Sequence, residues 1–193
     1  MKKGARAGGP SALRRWQPAD RMRYVDAARF LGSLPRSISR IAALDVGTRH
    51  VGVAVSDENR IVSSPLTTIE RSVTARNSAA AVGAFAEKLQ SVLTEAQVDG
   101  LVVGLPLFQG KPTPLCEEII QLMLRAQCQS SDRARQDIVF TLWNENSSTM
   151  ESRRLSKALG AREGAFRKHK DSLAAGVILR SFLEAHSPAL QGP

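Results

Sequence analysis

Aromatic residues are scarce: Phe, Trp and Tyr make up 5% of the 193 residues. That argues against a single-strand binding platform, which needs many exposed rings for bases to stack on. Cysteine is nearly absent. Cys116 and Cys128 have no CxxC spacing and no neighbouring histidine, so buried thiols in a reducing compartment are expected rather than a disulfide or a zinc site. The three histidines, His50, His169 and His186, show no ligand spacing. No apolar run approaches the roughly 20 residues that a membrane-spanning helix needs, so no membrane partner is expected. The glycines form no P-loop and no GxGxxG, and there is no GxSxG.

Acids are scarce at one end only. Residues 1–40 hold ten basic side chains (Lys2, Lys3, Arg6, Arg14, Arg15, Arg21, Arg23, Arg29, Arg36 and Arg40) against Asp20 and Asp26. The rest of the chain has 17 basic and 16 acidic residues. The formal charge of +9 suggests a polyanionic partner, but it belongs mainly to this N-terminal arm. Residues 1–20, rich in Gly, Ala, Arg and Pro, are expected to be poorly ordered. Their basic composition admits an organelle-targeting segment for chloroplast or mitochondrion. The alternatives are a plain tail or an over-long gene model, in a cytoplasmic protein. Met22 to Val25 opens a short helical pattern, with Tyr24, Ala27, Ala28 and Leu31 on one face, which Gly32 to Pro35 ends. The expected organisation is an arm over 1–40, a domain over 41–186 and a disordered tail over 187–193.

The domain begins with three short strands: 41–44, 51–55 and 61–69. Pro65 marks the third as an edge or a bulge. Short connections favour an antiparallel meander. A helix follows over 75–96, where Val82, Phe85, Leu89, Val92 and Ala96 keep helical spacing. Leu101-Val102-Val103 is apolar throughout and so predicts a central strand. Then come a helix over 113–128, a strand over 138–143, and helices over 149–159 and 171–185. Three meandering strands followed by α/β crossovers predict an α/β fold: a mixed five-stranded sheet flanked by helices.

Three acids are candidates for chemistry. Asp45 ends a buried strand in Asp45-Val46-Gly47-Thr48, and ligands of open α/β sheets gather at such strand ends. Gly47 and Gly52 would allow a positive φ or close approach of a phosphate backbone. Glu145 follows the last strand, ahead of Ser147-Ser148-Thr149, where Ser148 or Thr149 suits an N-cap. Asp171 either caps the final helix or is carried by it to the strand ends, and Arg167, Lys168 and Lys170 stand beside it. Converging carboxylates suit Mg²⁺ or Mn²⁺, and two such ions support phosphodiester cleavage with no protein nucleophile. The cations, with Thr48 and Arg49, would then contact nucleic acid.

Together these segments resemble the YqgF family, the pre-16S rRNA nucleases also described as Holliday junction resolvase-like. The run Ala43-Leu44-Asp45-Val46-Gly47-Thr48-Arg49-His50-Val51-Gly52-Val53-Ala54-Val55-Ser56-Asp57 is close to the family signature. Ser64-Pro65-Leu66, Gly104-Leu105-Pro106-Leu107, Lys170-Asp171-Ser172-Leu173-Ala174-Ala175 and Ile178-Leu179 match later stretches, so the resemblance covers about 41–185. It implies an RNase H-like fold and divalent-metal nuclease chemistry. It implies Asp45, Glu145 and Asp171 as metal-binding and catalytic residues. The implied partner is pre-rRNA in a ribosomal-subunit precursor, with maturation of the small-subunit rRNA 5′ end as the task. Branched DNA is the alternative substrate, and an RNA-binding assembly factor without catalysis is the alternative function. Asn144 and Asn146 stand where bacterial members carry Asp and Arg, and Trp143-Asn144-Glu145 resembles plant-type eukaryotic members. Asp45-Val46-Gly47-Thr48 also resembles the first phosphate loop of actin-like and sugar-kinase-like ATPases. Those proteins need a second lobe and a second such loop, and neither is present.

Overall fold

Strands covered on both faces are apolar at nearly every position, not at every second one. β2 (Arg40–Val46) and β5 (Val98–Leu105) have this composition, and Ile41 to Leu44 and Leu101 to Val103 are fully buried. The computed structural model describes residues 22–34, 40–71, 78–108, 111–113, 116, 118, 119, 121–123, 138–144 and 163–186. The other strands are β1 (Met22–Tyr24), β3 (His50–Ser56), β4 (Ser63–Glu70), the small pair β6 (Leu107–Phe108) and β7 (Lys111–Pro112), and β8 (Ile138–Asn144). The helices are α1 (Ala27–Phe30), α2 (Ala79–Glu95) and α3 (Glu163–His186). Cys116, Glu118, Ile119 and residues 121–123 are also helical.

The main sheet runs β1-β8-β5-β2-β3-β4. β2, β3 and β4 form the antiparallel meander, while β5 joins β2 and β8 in parallel and is central. β4 is an edge strand, with a register shift opposite Pro65. The expected five-stranded mixed sheet is therefore present, with one strand added. Met22–Tyr24 does not open a helix. It pairs in parallel with Ile138–Phe140, and the Val25 N–H continues the ladder to the Phe140 carbonyl at 2.9 Å. Without it β8 would be an open edge with unpaired backbone groups, and that non-local pairing overrides the local helical pattern. The helix starts only at Ala27, capped by Asp26, whose carboxylate accepts from the Ala28 N–H at 3.0 Å. Phe30 and Leu34 then bury themselves over Gly100 on β5. A methyl on Gly100 would stand 2.7 Å from Phe30 Cζ and 2.6 Å from Leu34 Cδ2. Packing of the sheet thus extends upstream of Ile41.

The sheet has two cores. On one face Ala42, Leu44, Val46, Val51, Val53, Leu101 and Val103 pack under α2 and the helical residues Cys116, Ile119, Leu122 and Met123. On the other, Ile41, Ala43, Ala54 and Val102 pack under Ala175, Ile178, Leu179, Phe182 and Leu183 of α3. Alternation along β2 therefore places Asp45 on the α3 face. α3 is longer than the expected 171–185 helix. It begins at Glu163, so Asp171 lies within it and does not cap it. Ala165, Arg167, Lys168 and Lys170 are good helix formers, and no proline interrupts them. Its far end is pinned by Phe182, edge-to-face with Phe30 (5.5 Å) and with Trp143 (5.4 Å). The expected helix over 149–159, Cys128, and the terminal segments 1–20 and 187–193 lie outside the described residues.

Candidate functional site

Asp45 is the one acid in the seven-residue β2, near its carboxyl end, and it pairs with Gly52 on β3. Gly52 is where α3 meets the sheet. A methyl built there would overlap the Asp171 carbonyl and stand 2.8 Å from the Ser172 N. Only a residue without a side chain lets the helix backbone lie this close to the strand. The close approach that Gly52 allows is therefore used by the backbone of α3. A single contact brings Asp171 beside Asp45's cross-strand neighbour.

The electrostatics report the proximity. The Asp45 pKa is raised to about 6 from an ordinary 3.8, first by burial and then by the Asp171 charge, while Lys170 opposes the shift. Desolvation and a like charge both disfavour the ionised form. His50, at the start of β3, lies 3.6 Å from Asp171 Oδ2 through its Nδ1.

The turn between β2 and β3 is tight. The Gly47 N–H donates to the His50 carbonyl at 2.9 Å, and a methyl on Gly47 would stand 2.9 Å from that same oxygen. Gly47 is therefore required for closeness and adopts no left-handed φ. Thr48 and Arg49 are exposed on the turn, and Lys170 is exposed one residue before Asp171. Lys170 is near enough to act on the Asp45 charge, and Thr48 and Arg49 follow Asp45 by three and four residues. Arg167 and Lys168 lie in the backbone of α3, but their side chains are outside the described residues, as is Glu145. Asn144 ends β8, exposed and level with Leu105 of β5.

Residues 39–185 match the family described as RuvX, Holliday junction resolvase. The chain belongs to this family. RuvX is the family whose signature the Asp45 segment resembles under the name YqgF. A relative from Roseiflexus sp., named "Putative pre-16S rRNA nuclease", is 34% identical over 76% of this chain and 94% of its own length. A relative of the same name from Roseobacter denitrificans is 30% identical over 82% of this chain and 90% of its own. Among solved structures, T. thermophilus RuvC in complex with a Holliday junction substrate superposes with a TM-score of 0.50 at 16% identity, covering 76% of this chain and 94% of that one. That likeness shows the fold, which is RNase H-like.

Among the described residues of this RuvX chain, no three His, Cys, Asp or Glu side chains cluster closely enough to hold an ion. Asp45 and Asp171 come together, and the expected third member, Glu145, lies outside those residues. The pair fits a hard divalent cation. Its donors are carboxylate oxygens, one desolvated and the two mutually repelling, and a cation would relieve both penalties. Three contributors carried no clear signal in the sequence. His50 had no spacing partner, because Asp171 is 121 positions away in the chain. Gly52 read as room for a ligand. Arg71 follows a strand as a single cation, yet it is buried and donates to the Gly47 carbonyl of the site turn.

Proposed function

We propose that this RuvX chain is a metal-dependent nuclease that hydrolyses phosphodiester bonds of structured RNA, acting in maturation of the small-subunit rRNA 5′ end. The observation that carries the reading is the desolvated Asp45, its pKa raised to about 6, beside Asp171 at the carboxyl edge of an RNase H-like sheet. An acid in that position destabilises the unloaded fold, which is understandable if its negative charge serves a cation. Asp45 and Asp171 would hold Mg²⁺ or Mn²⁺, with Glu145 as the proposed third ligand. Such an ion supplies Lewis acidity, lowering the pKa of the attacking water and neutralising charge on the leaving oxygen.

The chain's own residues do the rest. Gly52 admits α3 and so sets the spacing of the acids. Thr48, Arg49 and Lys170 present a hydroxyl and two cations where substrate phosphates would lie, with Arg167 and Lys168 as further candidates. These contacts position the backbone and carry no sequence information. The RNA reading rests on the names of the Roseiflexus and Roseobacter relatives. Residence in a chloroplast or mitochondrion, on a ribosomal-subunit precursor, accords with the basic arm.

The test is cleavage of an rRNA fragment extended at its 5′ end, beside a four-way DNA junction, each with Mg²⁺, with Mn²⁺ and with EDTA. Metal-dependent cutting of the RNA, absent in Asp45→Asn, is expected. Cleavage of the junction in preference to the RNA would move the substrate to branched DNA. Equal cleavage by Asp45→Asn would refute the site.

A further inference from the structure

Arg71 has a buried guanidinium that the proposed chemistry leaves without a task. Its side chain is only 3% exposed, and burying a cation that deeply is costly unless its partners are fixed. It has two of them at short range. Nη1 donates to the Gly47 carbonyl at 2.8 Å, and Nη2 meets Glu118 Oε1 at 2.9 Å. The Arg71 backbone N–H also donates to the Arg49 carbonyl at 2.8 Å. The residue directly after β4 therefore grips the β2–β3 turn twice, at Gly47 through its side chain and at Arg49 through its backbone N–H. It ties that turn to the helical segment holding Glu118.

We propose that Arg71 is a positioning residue for the site: its grip on the Gly47 and Arg49 carbonyls fixes the turn that carries Thr48 and Arg49 and that leaves Asp45. The inference rests on the nuclease reading for its consequence, though not for its geometry. Gly47 is two residues beyond Asp45, and a free turn would let both the carboxylate and the substrate-facing cation wander. Small displacements matter here, since misplacing reacting groups by about 1 Å can cost roughly a hundredfold in rate. Guanidinium geometry is needed because the side chain serves two acceptors at once, the Gly47 carbonyl and the Glu118 carboxylate. A lysine reaches one of them.

The experiment uses the full chain with Arg71→Gln, Arg71→Lys and Glu118→Gln. Amide hydrogen exchange is read in metal-free protein, and kcat and KM are read on the RNA fragment. Expected are faster exchange over 46–50 in all three variants, unchanged exchange in α2, and kcat lowered by about a hundredfold in Arg71→Gln. Arg71→Lys should recover part of that loss. Exchange that quickens equally in α2 and the turn would mean a merely structural role and overturn the proposal. So would a folded Arg71→Gln with unchanged kcat. If Arg71→Gln does not fold, Arg71→Lys and Glu118→Gln decide by the same two readings. A wild type that cuts nothing refutes the nuclease reading, and the exchange pattern then decides on the clamp alone.

Discussion

Replacing Asp45 by Asn should stabilise the metal-free protein at neutral and higher pH while abolishing cleavage. The folded state holds the Asp45 proton up to about pH 6, whereas an ordinary aspartate loses it near 3.8. Below about pH 4 the acid is protonated in both states and carries no penalty. As pH rises from 4 to 6 the unfolded chain ionises first, so stability falls, and above pH 6 the penalty is complete. Two pKa units at 1.36 kcal/mol each give an upper bound of about 3 kcal/mol. The Asn amide still needs hydrogen-bond partners, so a gain of about 1–2 kcal/mol is realistic. For a chain of this size that raises the melting temperature by about 2–8 °C. Thermal melts of both proteins in EDTA from pH 4.5 to 8 measure it. The difference should grow through pH 5–6 and level off above. Adding Mn²⁺ should raise the melting temperature of the wild type and leave the variant where it was. A variant that melts below the wild type at pH 8, or by an offset independent of pH, would refute the account of Asp45 as a desolvated, repelled acid.

Gly52→Ala places a methyl against the backbone of α3 at Asp171, where nothing flexible can yield. It should cost about 1–3 kcal/mol in a denaturant titration and remove cleavage even at temperatures where the variant is folded. Phe30→Ala empties a fully buried position between Gly100 and Phe182, upstream of the family match. The expected loss is about 3–5 kcal/mol, read by urea unfolding, and stability like the wild type's would show that residues 22–34 merely lie on the domain. Deleting residues 1–21 removes six basic side chains and one acid. Filter-binding of RNA across a salt series should then show a shallower slope, by about 0.7–0.9 for each phosphate that is no longer neutralised, with cleavage retained. An unchanged slope would place the phosphate-binding cations in the domain.

What the sequence disclosed follows from the range of the interactions involved. Strands β2 and β5 were legible because burial on both faces writes an unbroken apolar run, as in Ile41-Ala42-Ala43-Leu44 and Leu101-Val102-Val103. Asp45 was legible for the same reason, as a charge at the end of such a run. Pro65 announced the edge strand because proline cannot donate to a ladder. By contrast, Met22–Tyr24 becomes a strand only because Ile138–Phe140 offers an open edge more than a hundred residues later, and periodicity over four residues cannot sense that. Asp171 read equally as a cap and as an acid carried to the strand ends, because Asp caps helices often; the residues before it favour helix just as well, and the helix runs through it. Arg71 was illegible altogether. A single arginine after a strand reads as a solvated end, and only the fold buries it under Gly47.

The arrangement around Asp45 separates three requirements that a sequence pattern merges. Gly52 controls how near α3 comes and hence how strongly Asp171 acts on Asp45. Arg71 controls the turn and hence where Asp45 and Arg49 point. The aromatic contacts of Phe182 with Phe30 and Trp143 hold the far end of α3, so the helix cannot relieve the repulsion between the acids by swinging away. Each is a different physical device, namely a missing side chain, a buried cation shared between two acceptors, and ring packing. They act on different coordinates of one pair of carboxylates. A relaxed protein would let two like charges separate. That this one pins them together from three directions is the strongest structural reason to read Asp45 and Asp171 as a site built to hold a cation.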